Sequence, residues 1–203
     1  MVDAAVEAAA EHGATGVTTT RVIAKAGIAR NTFYDLFPTK QAFLEYASSE
    51  ASHLIFAPAS QARDDSGPWL ERLDRAVEGF YGAISKDPAV AEFCLIHTLS
   101  TDGQIVRRGV KIWERLLSEG RDAARLDLGP DFSEPVPLAE EFLAHSIVSL
   151  ATVRLWQGKG ASLPQHQREV VTLVAMFFFG IDYASQTWPD LVNPGAQRQI
   201  QQP

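Results

Sequence analysis

The sequence has few of the features that mark secreted or membrane proteins. Its 203 residues include one cysteine, so no disulfide can form within the chain, and a lone thiol fits a reducing compartment. No segment has the charged, apolar and small-residue order of a signal peptide. The longest apolar run, residues 170–181, is interrupted by Thr172 and Gly180 and is shorter than the roughly 20 residues that a membrane helix needs. We therefore expect a cytoplasmic protein with no membrane partner.

Motifs for catalysis and for metal or cofactor binding are also scarce, and no glycine-rich phosphate loop is present. Cys94 and His97 could meet on one helical face as nucleophile and base, but the sequence offers no third member and no oxyanion hole. Glu141 and His145 could hold a metal with further ligands, yet no second cluster accompanies them. We therefore predict no catalytic residue, no metal and no cofactor, and we keep an enzyme as the lesser alternative.

Acidic residues exceed basic ones, but the excess is unevenly distributed. The formal net charge is −7, whereas residues 18–40 hold four basic side chains and one acidic one, a local charge of +3 that leaves −10 for the remainder. A basic segment on an acidic body fits a protein whose contact with DNA is confined to one small module. The alternative is that three surplus charges lie on a solvated face without function.

The basic segment from Thr18 to Lys40 has the spacing of a helix-turn-helix. Ile23 and Ala26 belong to the apolar side of a short first helix. Gly27 stands where that helix must end, and glycine adopts the left-handed conformation of a helix C-cap at little cost. We expect Ile28 to fill the space between this helix and the next.

A second helix is predicted from Arg30 to Phe37. Phe33 and Phe37 are four residues apart, so both can pack inward while Arg30 and Asn31 point elsewhere. Arg and Asn are side chains that can read base edges in a major groove. Thr39 can then cap the helix that opens with Lys40.

These residues resemble the DNA-binding region of TetR-family transcriptional regulators. The similarity includes the T-F-Y-x-x-F-x-x-K tail, which a generic helix-turn-helix lacks. The residues that match the family pattern are Thr19, Ile23, Ala24, Ala26, Gly27, Ile28, Thr32, Phe33, Tyr34, Phe37 and Lys40. The resemblance covers roughly the first 46 residues. It implies an all-α, nine-helix TetR-like architecture, with a helix-turn-helix DNA-binding domain at 1–46 and a larger ligand-binding and dimerisation domain at 47–203.

Four positions depart from the family pattern. Ala29 stands where a serine usually caps the recognition helix, and a missing cap of this kind costs on the order of 1 kcal/mol. Leu36 replaces a polar residue that can face the DNA backbone, and Asp35 places a negative charge on a helix that should approach phosphates. Gln41 replaces the usual glutamate. Together these departures argue against strong DNA affinity.

The predicted DNA contacts fall into two groups. Base edges are reached from the start of the recognition helix, by Arg30, Asn31 and Thr32. Phosphate contacts, which the resemblance implies, come from Thr19 or Thr20, Tyr34 and Lys40. In the alternative interpretation Tyr34 is an aromatic that packs its ring and exposes its hydroxyl, and Lys40 is a solvated lysine at a helix start.

Beyond Lys40 apolar residues recur at helical spacing, and no segment alternates convincingly like a strand. Breakers such as Pro58, Asp87–Pro88 and Gly158–Gly160 separate the predicted helices. These span about residues 39–56, 68–86, 89–99, 104–126, 138–157 and 163–186. Together with the two helices of the helix-turn-helix and a first helix from Met1 to His12, which Gly13 ends, they bring the total to nine.

The last two predicted helices are apolar on most sides, so most of their surface must be buried. In a chain of this size, pairing across a two-fold axis can bury it. The resemblance implies the same arrangement, a four-helix bundle made by the last two long helices of two copies. The predicted interface residues are Leu150, Val153, Val174, Phe177 and Phe178. A larger monomeric core is the alternative.

The resemblance also implies a small-molecule pocket in the second domain. The candidates are aromatic and histidine side chains on faces that we expect to point inward: Trp69, Phe80, Phe93, His97, Trp113, Phe142 and His145. For each of them ordinary core packing is the alternative. We predict a homodimeric repressor that binds double-stranded DNA at a palindromic operator and is released by a mostly apolar effector. A helical protein that binds a ligand or a protein and has lost DNA binding is the alternative function.

Overall fold

The structure, a computed structural model, describes residues 1–97 and 104–189, and for residues 104–106 the backbone alone. Within these ranges it contains ten α-helices and no strand, so the all-α prediction is confirmed. The helices are α1 Val2–His12, α2 Thr19–Ala26, α3 Arg30–Leu36, α4 Lys40–Asp64, α5 Trp69–Lys86, α6 Pro88–Glu92, α7 Gln104–Leu128, α8 Ala139–Trp156, α9 Gln167–Phe179 and α10 Ile181–Thr187. Three short 3₁₀ segments, Ala14–Gly16, Gly129–Asp131 and Gly160–His166, and one π-helical turn, Phe93–His97, lie between them.

The prediction that α4 ends before Pro58 is wrong, because the helix continues through this proline to Asp64. Proline has no N–H and normally breaks or kinks a helix. Here α4 packs along α5, and Gly79 of α5 lies directly against Pro58. A Cβ on Gly79 would approach the Pro58 Cβ to 2.5 Å, so the missing side chain makes room for the proline ring. Packing against α5 thus overrides the local preference to stop.

The predicted helix 163–186 is also wrong as one element. The chain forms the 3₁₀ segment Gly160–His166, then α9 and α10, with Gly180 between the two α-helices at φ 78°. This left-handed backbone conformation is one that glycine adopts without steric cost. No single described helix is long and apolar enough to cross a membrane. The segments Gly160–Phe179 and Ile181–Thr187 reach that length and composition when taken together, but the chain bends by 119° between them. The last two residues of the predicted helix 89–99 lie outside the described residues.

One hydrophobic core runs from α1 to α9 and joins both halves of the described chain. Helix α5 is its centre, since Leu73, Val77, Phe80 and Ile84 are all completely buried, as their 3.6-residue spacing predicted. Helix α1 packs on α2 on one side and on α4 and α6 on the other. The helix-turn-helix therefore rests directly on the larger helical body.

Candidate functional site

Helix α2 begins and ends at the predicted residues. The Thr18 Oγ1 accepts a hydrogen bond of 3.3 Å from the Arg21 backbone N–H, which caps the helix start. Gly27 ends the helix in the left-handed conformation, at φ 65° and ψ 29°. The Ile28 N–H donates back to the Ile23 carbonyl over 3.3 Å, so a carbonyl of the last turn has a partner. The chain is thereby directed sharply into α3.

Helix α3 is held by an aromatic cluster that it shares with α4. Phe33 is 0% exposed, and its ring centroid lies 5.8 Å from that of Phe37 and 5.2 Å from that of Phe43. Phe37 and Phe43 are also 5.2 Å apart, and Tyr46 extends the cluster at 5.3 Å from Phe37. Such edge-to-face pairs stabilise beyond the burial of their area. The inward face of α3 is therefore fixed by the start of α4.

The opposite face of α3 is open. Arg30, Asn31 and Thr32 are all exposed, as the base-reading prediction requires. Tyr34 is 39% exposed, and the Arg30 guanidinium lies over its ring, 5.5 Å from the centroid. The alternative for Tyr34, a packed ring with a free hydroxyl, is partly met because the ring also contacts Phe33 at 5.4 Å.

The predicted phosphate contacts flank this open face. Lys40 is exposed at the first residue of α4, which the Thr39 Oγ1 caps by accepting a 3.0 Å hydrogen bond from the Ala42 N–H. Thr20 is exposed and Thr19 half-buried at the start of α2. Ala29 makes no side-chain cap at the start of α3, in agreement with its missing oxygen.

The basic segment contributes less free charge than its composition indicates. The Lys25 Nζ lies 2.8 Å from a Glu11 carboxylate oxygen and 3.4 Å from one of Glu7, both on α1. The hydrogen bond to Lys25 lowers the pKa of Glu11, and the same bond raises the pKa of Lys25. Arg30 and Lys40 make no ion pair with any described residue. Arg21 is likewise exposed and without an ion pair to a described residue, and its guanidinium donates a 3.1 Å hydrogen bond to the Gly16 carbonyl oxygen. These three cations of the segment are not neutralised by a carboxylate of the described chain.

The predicted ligand residues do not form one pocket. Four are enclosed in the protein core, Trp69, Phe80, Phe93 and Trp113, and His97 is half-buried. The expectation that Phe142 and His145 face inward is wrong. Phe142 is 65% exposed, and His145 is exposed with its Nδ1 2.8 Å from the Glu141 carbonyl oxygen. Both lie on an outward stripe of α8, because residues 142, 145, 149, 153 and 156 are all exposed at helical spacing.

The interior beneath the ligand candidates is filled by rings. The Phe56 and Phe80 rings stack at 5.1 Å, and Phe80 lies 5.4 Å from Trp113 and 5.8 Å from Tyr81. The Tyr81 hydroxyl and the Trp113 Nε1 are buried without a hydrogen-bond partner in the described chain. Burial also raises the pKa of the Tyr81 hydroxyl. Unpaired buried polar atoms are costly and rare in folded proteins, so each calls for an explanation.

The clefts of the C-terminal region lie outside this ring-filled interior. One of about 620 Å³ lies among the start of α5, the start of α9 and the end of α10, and includes Glu71, Asp74 and Arg168. A cleft of about 300 Å³ separates α4 from α7, and a third of about 410 Å³ contains Trp69. Trp69 is the only predicted ligand residue that lines any of these three clefts. The α4–α7 cleft is not evident from the sequence, because its polar side chains are typical of a solvated helix face.

The predicted dimer residues also divide into two sets. Val174 and Phe178 are buried within their own chain, where the Phe178 ring contacts Trp69 at 5.8 Å, so neither offers much surface to a second copy. Leu150 is half-buried, while Val153 and Phe177 are exposed. The exposed apolar residues of the two helices, which we name the α8–α9 face, are Phe142, Val153, Trp156, Leu173 and Phe177.

Cys94, the candidate nucleophile, lies in an unsuitable environment. Cys94 is buried, and burial raises the pKa of its thiol to about 12, so the reactive thiolate does not form near neutral pH. No group of three or more potential metal ligands occurs among the described residues.

A glycine-terminated helix followed by an anchored helix with a free polar face defines a helix-turn-helix protein. Residues 1–47 match the family described as bacterial regulatory proteins of the tetR family. The N-terminal module is therefore similar to the DNA-binding region of that family, and the described part of the chain shares its fold with solved structures of transcriptional regulators. A search of curated protein sequences found no match.

Several solved structures share this fold. The fatty acid degradation regulator FadR from Bacillus halodurans has a TM-score of 0.71 at 18% identity, over 86% of this chain and 95% of its own. FadR from Bacillus subtilis, solved in complex with stearoyl-CoA, has a TM-score of 0.69 at 18% identity, over 89% and 97%. A TetR-like regulator from Rhodococcus sp. RHA1 has a TM-score of 0.65 at 20% identity, over 86% and 91%.

Proposed function

We propose that the protein is a transcriptional repressor that binds a near-palindromic operator as a homodimer and leaves it when a small, mostly apolar effector binds. In this proposal residues 1–46 bind DNA, and residues 47–203 bind the effector and the second copy. The observation that carries the proposal is the open face of α3, where Arg30, Asn31 and Thr32 are exposed on a helix fixed by buried aromatics.

The α8–α9 face supports the homodimer. Its five exposed apolar side chains lie on two helices that are consecutive in sequence. Exposed apolar surface often marks a protein–protein interface, and a second copy of the chain would remove it from water. A two-fold dimer presents two copies of α3 to the DNA. To enter successive major grooves these must be spaced by about 34–36 Å or a multiple of it, and the operator is then a near-palindrome.

Helix α4 supports coupling between effector and DNA. It begins at Lys40, beside α3, and continues without a break to Asp64, packed along α5. An effector that tilts this helix changes the spacing of the two recognition helices, provided that it binds one arrangement more tightly. A coupling of about 1–3 kcal/mol changes DNA affinity by roughly 5–150-fold. Because a protein of the same fold was solved with stearoyl-CoA, long-chain acyl compounds are the first effectors to test.

The alternative is a protein that binds a ligand or another protein but not DNA. Three features that reduce the positive or polar character of the helix-turn-helix module favour it. Lys25 is neutralised by α1, Asp35 adds a negative charge to α3, and Leu36 presents an exposed apolar side chain there. Retardation of the intergenic DNA beside the protein's own gene separates the two functions, because only the repressor retards it.

The division of roles is tested with four variants on operator DNA. Arg30→Ala and Asn31→Ala should change base preference, by roughly 1–3 kcal/mol at one or two positions per half-site. Lys40→Ala and Tyr34→Phe should weaken binding to all sequences alike, and Lys40→Ala should lower the salt slope by about one. Fluorescence anisotropy on a panel of single-base operator variants measures both effects. Equal losses on every sequence for all four variants contradict the division.

A further inference from the structure

The cleft between α4 and α7 has a polar wall built by one face of α4. Ser52, His53 and Ser60 lie three, four and eleven positions after Ser49, so all four belong to one face of the helix, and all line the cleft. Arg108 of α7 closes the opposite side. Three hydroxyls, an imidazole and a guanidinium therefore surround one space of about 300 Å³.

The charge of this cleft is of one sign. Among the described residues that line it none is acidic, whereas the larger cleft near α9 contains Glu71 and Asp74. Arg108 is exposed and forms no ion pair with a described residue. A guanidinium presents a planar fork of donors that fits a carboxylate or a phosphate. The Ser49 and Ser60 hydroxyls can add further donors, whereas the Ser52 hydroxyl is hydrogen-bonded to Cys94. The cleft therefore suits an anionic group.

The floor of the cleft is apolar and leads inward. Phe56 lies there against Gly109, where any Cβ would collide with the phenyl ring. The Phe56 ring also stacks on Phe80, which packs on Trp113. The unpaired Trp113 Nε1 thus lies in a ring-filled interior that has Phe56 as its outermost member. An apolar chain that displaces Phe56 passes directly from the polar cleft into this interior.

We propose that the α4–α7 cleft is the head-group site of an anionic amphiphile, with a carboxylate or phosphate held by Arg108 and His53 and an apolar tail that enters past Phe56. The regulatory consequence rests on the proposed function. Phe56 and Lys40 belong to the same helix, 16 residues or about 24 Å apart. A tail inserted at Phe56 pushes on α4 and moves its DNA-facing end.

The test measures binding of three probes with the same tail to the full chain without DNA. Decanoate, monodecyl phosphate and 1-decanol share ten carbons and differ in the head group. Calorimetry should show tighter binding of at least one anion than of decanol, and the preferred anion tells a carboxylate effector from a phosphate one. Tighter binding of decanol, or no binding of any of the three, overturns the proposal.

Arg108→Ala and Arg107→Ala form a matched pair, since both arginines are exposed neighbours on α7 and only Arg108 lines the cleft. Arg108→Ala should lower the affinity for the preferred anion by about tenfold to a hundredfold and leave the affinity for decanol unchanged. Arg107→Ala should bind like the wild type. Equal losses in the two variants, or none in Arg108→Ala, refute the role of Arg108.

A tail series tests the path past Phe56. Monobutyl, monohexyl and monodecyl phosphate should bind progressively tighter, because each buried methylene adds to the affinity. Inorganic phosphate that binds as well as monodecyl phosphate would mean that no tail enters. All of these titrations omit DNA, so the two proposals can fail separately. If the protein binds the probes but no operator, the head-group site stands and the proposed function fails. If it binds an operator but none of the probes, the proposed function stands and the head-group site fails.

Discussion

Helices α3 and α8 each carry apolar side chains at helical spacing, but these stripes end in different surroundings. Phe33 of α3 is 0% exposed because Phe43 of α4 covers it, only ten residues further along the same chain. Phe142 of α8 is 65% exposed, and no described residue covers the stripe that it shares with Val153 and Trp156. An apolar stripe therefore shows that a helix needs a partner, without identifying the partner.

The free faces of the two helices differ in the same instructive way. That of α3 is polar and presents Arg30 and Asn31, which suits a hydrated, charged partner such as DNA. That of α8 is apolar and suits a partner that excludes water, such as an identical helix from a second copy. In the proposed function, one side of α3 therefore serves folding and the other contacts DNA, while the free face of α8 contacts the second copy.

The largest expected effect is a difference in stability between variants of Phe33 and Phe142. Phe33→Ala should lower the free energy of unfolding by about 3–5 kcal/mol, because it leaves a cavity in the aromatic cluster. Phe142→Ala should change the stability of the isolated protomer by less than about 0.5 kcal/mol, as is usual for exposed positions. Urea unfolding measures both, at a protein concentration low enough to keep the chain monomeric. Equal losses would mean that Phe142 is covered by its own chain.

The next effect concerns assembly and compares two exposed leucines. Leu173→Asp on the α8–α9 face should weaken the dimer by roughly 2–5 kcal/mol, since the interface would bury an unpaired carboxylate. Leu54→Asp on α4 should leave it unchanged, although Leu54 is exposed to a similar extent, 58% against 64%. Sedimentation at micromolar concentration distinguishes them. A wild-type monomer, or dissociation by both variants, contradicts the role of the α8–α9 face.

The smallest expected effect comes from adding an N-cap side chain at the start of α3. Ala29 has the extended backbone of an N-cap residue, at φ −73° and ψ 150°, but it lacks an oxygen to cap the helix. Ala29→Ser should therefore stabilise the protein by about 1 kcal/mol. Thermal unfolding should show a higher midpoint for this variant, and Ala29→Gly serves as a control that adds no cap oxygen. An unchanged midpoint for Ala29→Ser would show that α3 is held by Phe33 and Phe37 alone.

The helix-turn-helix could be predicted from sequence because its determinants are local. Thr18, Gly27 and Thr39 cap or end helices through bonds that span a few residues, and the structure contains each of these features. The extent of α4 could not be predicted in this way. Pro58 stops a helix by local rules, and it is accommodated only because Gly79, 21 positions away in sequence, leaves space for its ring.

The candidate ligand residues also depend on packing between distant segments, which local sequence does not predict. Residue type and spacing predicted correctly that Trp69, Phe80 and Trp113 face inward, but they do not distinguish a filled core from a pocket wall. The α4–α7 cleft depends on how closely Gly109 lets α7 approach Phe56, which is a property of packing between distant segments. His145 was expected inside because a histidine beside apolar residues fits a core as well as an interface.

The central claim is that the free face of α3 reads DNA as one half of a two-fold dimer. Selection of bound duplexes from a random pool, run in parallel with the wild type and with Arg30→Ala, tests it most directly. The wild type should enrich a near-palindrome whose half-site centres are about 10 base pairs apart or a multiple of that. The variant should lose preference at symmetric positions of both half-sites. No enriched sequence with the wild type, or the same sequence from both proteins, would contradict the account.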